Sequence, residues 1–371
     1  MLAMTLAAAA VSWLACLLLI THSLGHAHAY RQDMPQRFHW GAVPRLGGLG
    51  IALGWVGVVV VVGSFDAWAL AMGVPLPGQV WMWWCAAMLP SVLAGSYEDL
   101  TQRLPPVFRL AVTGLSAAIA LLGLDLAIGR LGVQSVDEVL VGWPFLGVAL
   151  AFVALAGMPH AFNIIDGYNG LAGAVAMIVC GALAHVALQL GDRQLATLLL
   201  LMVGATAGFF VLNYPKGLIF AGDGGAYLWG GVIAIASITL VQRHEEVSPW
   251  FPMLLLIYPV WETVFSIYRK LARGVSPGVA DALHFHQLIY RRIVREVFHD
   301  DEARRMLMRN NRTSPYLWGF TLLTVIPAVL FWRNTPVLMG FCLLFVLTYV
   351  PAYIMIVRFK VPRWIRRGRQ R

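Results

Sequence analysis

Apolar residues run along this chain in long blocks separated by short polar stretches, without the period-two alternation of a half-buried strand. The blocks lie at 2–24, 48–65, 79–95, 110–124, 144–160, 171–189, 195–212, 226–241, 250–267, 315–332 and 336–357. A helix needs about 20 apolar residues to cross a bilayer, and in lipid each segment must satisfy its own backbone hydrogen bonds. The pattern therefore predicts an all-α fold: a polytopic integral membrane bundle of about 11 transmembrane helices, forming a single domain over 1–371. The first block could imitate a signal peptide, because Ala27-His28-Ala29 resembles a small-residue cleavage site. No Lys or Arg precedes it, however, and it is longer than the usual apolar region of about 7–15 residues, so it is read as an uncleaved helix.

Charge gives the bundle a direction. Loops after odd-numbered blocks, together with the C-terminal tail, hold 23 of the 27 Lys and Arg residues; the opposite side holds Arg130, Arg193, Arg243 and Arg333. Basic loops stay in the cytoplasm, which puts the N-terminus outside and the C-terminus inside. The basic tail at 358–371 is expected to lie on anionic lipid. A net charge of +9 could suggest nucleic acid, but only 12% of the 371 residues are charged against 59% hydrophobic, and the bases sit in loops. A soluble domain averages roughly 25% charged residues, so a basic nucleic-acid-binding face is excluded. The 14 Trp and 11 Tyr suit interfacial belts.

Cys16, Cys85, Cys180 and Cys342 are far apart inside apolar blocks and read as small packing residues, neither a disulfide framework nor a zinc site. His22, His26 and His28 fit an interfacial helix end. The glycines between Gly47 and Gly57 read as close helix packing.

The chemistry lies in four loops, all on the basic side. Glu98-Asp99 forms a carboxylate pair, followed by Arg103 and Pro105-Pro106. Asn163-Ile-Ile-Asp166-Gly-Tyr-Asn169-Gly170 places polar groups between glycines that allow sharp turns. Asp223 stands among Gly222, Gly224 and Gly225 with room for a hydrated Mg²⁺ and phosphate oxygens. His284 and His286 occupy an arginine-rich loop, 268–312, where they could contact phosphate or move a proton; zinc ligation is a weaker alternative. No Walker loop is present. One reaction centre at the inner membrane face would use all four.

Taken in order, from Pro44-Arg-Leu-Gly47-Gly48 to the His286 loop, these segments resemble the polyprenyl-phosphate N-acetylhexosamine-1-phosphate transferases. The resemblance implies transfer of a sugar-1-phosphate from a UDP-N-acetyl sugar to undecaprenyl phosphate, with release of UMP. It implies a bacterial cytoplasmic (inner) membrane enzyme, its site facing the cytoplasm, that initiates a cell-envelope polysaccharide. It also implies Mg²⁺, with Mn²⁺ as a substitute, and admits the homodimers found among relatives. Asp99, Glu98, Asp166, His284 and His286 are the catalytic candidates, and Asp223 and Asp99 the metal candidates. Asn163, Asn169, Gly170, Arg45 and Arg103 are the candidates for substrate binding.

Three positions depart from the family's pattern. Glu98 replaces the first Asp of the acid pair, Asn169 stands where many members have Asp, and Gln287 replaces a further His. An Asn amide still matches the edge of uracil, while the loss of a third imidazole argues against the muramoyl-pentapeptide branch. The rival readings are a secondary transporter and a non-catalytic relative. A transporter places its polar groups near the bilayer midplane in inverted repeats, whereas here they gather at one face. The sugar is not legible in the chain.

Overall fold

The computed structural model describes residues 1–27, 42–65, 73, 78–276, 278, 281, 283–294, 297 and 299–358. The expected cleavage-like site, His28, Arg31, Arg37 and the basic tail beyond Arg358 fall outside the described residues.

Among the described residues the secondary structure is helical throughout. The helices are α1 (Leu2–Ala27), α2 (Gly47–Ser64), α3 (Gly78–Thr101), α4 (Pro106–Leu124), the short α5 (Gln134–Gly142), α6 (Pro144–Ile165), α7 (Leu171–Gln189), α8 (Arg193–Asn213) and α9 (Gly222–Arg243). They continue with α10 (Trp250–Leu255), α11 (Ile257–Leu271), α12 (Phe285–Leu288), a π-helical turn at Ile289–Ile293, α13 (Glu302–Leu330) and α14 (Thr335–Val357). Nine of them are long and apolar enough to cross a membrane.

The other two expected spans take different forms. The block at 79–95 belongs to α3, which runs six residues further, to Thr101, and so carries Glu98 and Asp99 on helix rather than loop. The block at 250–267 is broken at Leu256 into α10 and α11. Pro259 explains the break: it has no N–H to give the carbonyl of residue 255, and its ring crowds that carbonyl. The 268–312 segment is likewise not all loop. Asp301 caps the start of α13 by accepting from the N–H groups of Ala303 and Arg304, so helix begins eleven residues before Thr313.

The bundle is organised around α9, whose side chains are buried without interruption from Gly224 to Leu240. It packs on α6, α3, α2 and α7, while α1 seals α2 and α8, and α13 covers α7. Outer helices turn apolar side chains outward, as with Leu122 at 85% exposed, which a lipid solvent accepts and water does not. The four cysteines are unpaired, and Cys16, Cys180 and Cys342 are buried.

The expected glycine packing is seen where α2 passes α9 and α1. A Cβ on Gly48 would meet the backbone of Gly225, and one on Gly50 would meet Cys16. Gly95 of α3 approaches the backbone of Gly224 in the same way. Two helices, α2 and α3, can therefore come against the start of α9.

Candidate active site

The first turn of α9 is where the acids meet. The carboxylate of Asp99 accepts the backbone N–H of Asp223 at 2.8 Å and that of Gly224 at 3.0 Å. A helix leaves its first N–H groups without partners, and here a side chain from α3 supplies the acceptor. Gly222 has φ +71°, and a Cβ there would run into the Asp99 carboxylate. The preceding strip is tied down by backbone bonds. Phe220 N–H donates to Pro44 at 2.9 Å, while Gly47 and Gly48 donate to Phe220 and Ala221 at 2.9 and 2.8 Å. Arg45 is thereby set beside the acids.

Asp223 projects into a ring of donors. Arg109 Nη1 reaches its Oδ2 at 2.9 Å, Asn163 Nδ2 its Oδ1 at 2.8 Å, and the Tyr227 hydroxyl its Oδ2 at 3.3 Å. Arg109 stands in the first turn of α4, which Pro105 and Pro106 start: Pro at the first helical position costs no bond there.

Asp166 ends α6, its N–H closing the last turn on Phe162 and Asn163. No described residue donates a hydrogen bond to its carboxylate. Burial, reinforced by Asp223 and opposed by Arg45, pushes its pKa up to about 7.

The Asn169-Gly170 turn is held from two sides. Asn310 Oδ1 accepts the Asn169 N–H at 2.8 Å, Asn311 Oδ1 its side-chain amide at 3.0 Å, and Ser314 donates to its carbonyl at 2.6 Å. Asn213 accepts the Gly170 N–H at 2.6 Å, with Gly170 at φ +71°. The side-chain oxygen of Asn169 is buried without a partner among the described residues, leaving one acceptor for a ligand.

His284 and His286 lie with rings stacked at 5.4 Å and 7°. His284 Nδ1 is 3.1 Å from Glu262 Oε1, which also accepts the Phe285 N–H at 3.0 Å; Glu262 Oε2 accepts the Tyr349 hydroxyl at 2.8 Å. Burial, and then His284 beside it, pulls the pKa of His286 down to about 3, so this ring is neutral at any ordinary pH. Its Nδ1 has no partner among the described residues. Gln287 accepts the His284 N–H at 3.3 Å, closing the start of α12 in the place where the family's further His would stand.

These groups share one cleft of about 270 Å³. Arg45, Asp99, Asn163, Asp166, Asn169, Asp223, His284 and His286 all line it, as do Phe220 and Asn310. The other three expected residues do not. Glu98 turns away to accept the Leu104 N–H at 2.6 Å, Arg103 is exposed, and Gly170 lies beneath the lining as a turn.

Two functional candidates escaped the sequence. Arg109 looked like a loop base flanking a span. Glu262 sat inside an apolar block, although a lone acid in such a block is itself a signal, since intramembrane charge is costly.

The fold and the cleft define a class: a polytopic helical membrane protein whose acids, amides, histidines and arginines converge on one polar site. The model of glycosyl transferase family 4 matches residues 81–241. It is 27% identical over 259 residues to the "Probable undecaprenyl-phosphate N-acetylglucosaminyl 1-phosphate transferase" of Bacillus subtilis (strain 168), covering 70% of this chain and 68% of the relative. It is also 27% identical over 263 residues to the undecaprenyl-phosphate alpha-N-acetylglucosaminyl 1-phosphate transferase of Escherichia coli (strain K12), covering 68% and 66%. The protein of that name from Salmonella typhi is 26% identical over 258 residues.

Proposed function

We propose that this protein transfers an N-acetylhexosamine-1-phosphate from a UDP-sugar to undecaprenyl phosphate, releasing UMP, as the first step of a bacterial envelope polysaccharide. The observation that carries the reading is the convergence of Asp99, Asp166 and Asp223 with Arg45, Asn163 and His284 on one cleft, in a chain whose relatives bear that activity in their names. The oxygen of the lipid phosphate attacks the β-phosphorus of the nucleotide, and the bond to the α-phosphate oxygen breaks. Such a step asks chiefly for positioning and for offset of negative charge. Arg45 supplies fixed positive charge in the cleft, and Arg109 borders it through Asp223. Asn169 and Asn310, held by α13, suit the nucleotide end. The site faces the cytoplasm of the inner membrane in this reading, with the N-terminus outside, the C-terminus inside and eleven passages counting α3 and the broken α10–α11.

The residues fit a divalent ion in one way. Among the described residues no three His, Cys, Asp or Glu side chains form a metal cage, but Mg²⁺ usually takes one or two carboxylates together with substrate phosphates. Asp223 would hold it, and Asp166, with no hydrogen-bond donor of its own, is better placed to share it than Asp99, whose oxygens are engaged by backbone N–H groups. Bound there, Mg²⁺ offsets the charge of the meeting phosphates.

The test is UMP release by purified protein given undecaprenyl phosphate, Mg²⁺ and a panel of UDP-N-acetyl sugars. UMP that requires both lipid and metal, from one donor, supports the reaction and identifies the sugar. Folded protein that releases no UMP from any donor, beside an active control enzyme, overturns it.

A further inference from the structure

Glu262 is wholly buried, at 0% exposure, one turn past the break that separates α10 from α11. It does not line the cleft. Isolated buried carboxylates are strongly disfavoured, yet this one is fully engaged: both oxygens accept hydrogen bonds, from His284, Phe285 and Tyr349. All three donors converge from other segments, two from the His loop and one from α14.

We infer that Glu262 is a positioning residue, which fixes the ring orientation and the tautomer of His284 for the transfer proposed above. A carboxylate only accepts. The short contact at Nδ1 therefore places the proton on that nitrogen and leaves Nε2 bare on a ring that lines the cleft. The bond from the Phe285 N–H to the same oxygen locks the loop backbone next to the ring. The stacked His286 restricts the ring further, and Tyr349 holds Glu262 from behind. When Nε2 takes a proton or a phosphate hydrogen bond, the negative charge of Glu262 stabilises the imidazolium.

A second lattice supports the loop at its other end. Asp281 accepts from Ser266 at 2.7 Å and from Arg269 at 3.0 Å, and Arg269 also donates to the Leu283 carbonyl at 2.9 Å. Ser266 and Arg269 are one and two turns beyond Glu262 on α11. The helix thus grips the loop at several levels, and Glu262 alone reaches the imidazole.

The inference rests on the proposed transfer for its kinetic test but not for its spectroscopic one. In full-length protein with ¹⁵N-labelled histidine at pH 8, with His284→Gln used for assignment, His284 should show protonated Nδ1 and bare Nε2; the Nε2–H tautomer would overturn the proposal, whatever the enzyme's donor. In the UMP assay, Glu262→Gln should lower kcat by about tenfold or more while the donor KM stays within about twofold. Glu262→Gln should then add nothing in a His284→Gln background. Wild-type turnover in the single variant, or an undiminished further loss in the double variant, refutes the positioning role. If Glu262→Gln fails to fold, the wild-type tautomer decides alone.

Discussion

The Asp99 carboxylate accepts the backbone N–H of Asp223 at 2.8 Å, so two acids 124 positions apart share a single helix terminus. One of them serves as the cap of α9, and the other is the side chain that this cap aims.

The consequence is a sharp difference between neighbouring acids. Asp99→Asn puts an amide donor against backbone N–H groups and leaves one of them short of an acceptor, at about 1–3 kcal/mol. Turnover should drop by about 100-fold, as when a charge-stabilising group is displaced. Glu98→Gln keeps its acceptor for Leu104 and should hold activity within about threefold, because the side chain lies off the cleft. Comparing UMP release by the two variants checks this; equal losses would give Glu98 a role the geometry does not.

Asp166 makes both stability and rate depend on pH. Burial holds its pKa in the folded protein at about 7, above the ordinary carboxylate value of about 4. The folded state therefore binds the proton more tightly, and stability falls as pH rises from about 4 to about 7, then levels. Melting temperatures in detergent across that range should decline in the wild type and flatten in Asp166→Asn. Where the ionised carboxylate is needed, turnover should rise toward a plateau above pH 7. His286 cannot supply that inflection, since it stays neutral down to about 3.

Arg109 and Asp223 should part company in a metal titration. Asp223→Asn removes the anionic ligand and should lower Mg²⁺-dependent turnover by about 10²–10³-fold with the fold intact, because Asn still accepts from Asn163. Arg109→Gln takes the positive charge off a carboxylate oxygen and leaves it only the Tyr227 hydroxyl at 3.3 Å, so the Mg²⁺ concentration for half-maximal turnover should fall even as kcat drops. Arg109→Lys should recover part of kcat, lacking the planar fork of the guanidinium. A raised Mg²⁺ requirement in Arg109→Gln would show that the pair does not compete with metal.

The close approach of α2 to α9 sets a steric prediction. Gly48→Ala would drive a methyl group into the Gly225 backbone, and overpacking of this kind costs about 1–3 kcal/mol. The melting temperature should fall and UMP release with it. Gly57→Ala, where a Cβ meets nothing within 4 Å, is the control.

Much of this molecule could be read from residue order alone. The apolar blocks located the helices, and the gathering of the motif acids and histidines in loops of one side forecast their meeting. Geometry finer than a loop could not be read. Glu98 and Asp99 are adjacent in sequence, but on a helix successive side chains diverge by about 100°, so only one reaches the cleft. Arg103 and Arg109 both looked like bases between spans; the turn at Pro105-Pro106 aims Arg109 inward and leaves Arg103 exposed. Glu262 was hidden by the hydrophobicity of its neighbours, and the break that positions it comes from Pro259, whose effect depends on where helix would otherwise run. The grip of α13 on Asn169 joins segments over 140 residues apart, and no local pattern carries such a contact.

The shared terminus at Asp99 also orders the protein's own birth. Asp99 precedes in the chain the N–H groups that satisfy it, so a chain that stops short of α9 holds this carboxylate without those partners. Only when α9 threads between α2, α3 and α6 does that acid find its partners and the cleft come into being. A chain interrupted before Gly222 therefore lacks half of the cleft, and halves severed in the loop at 191–192 and expressed together should release UMP only upon reunion.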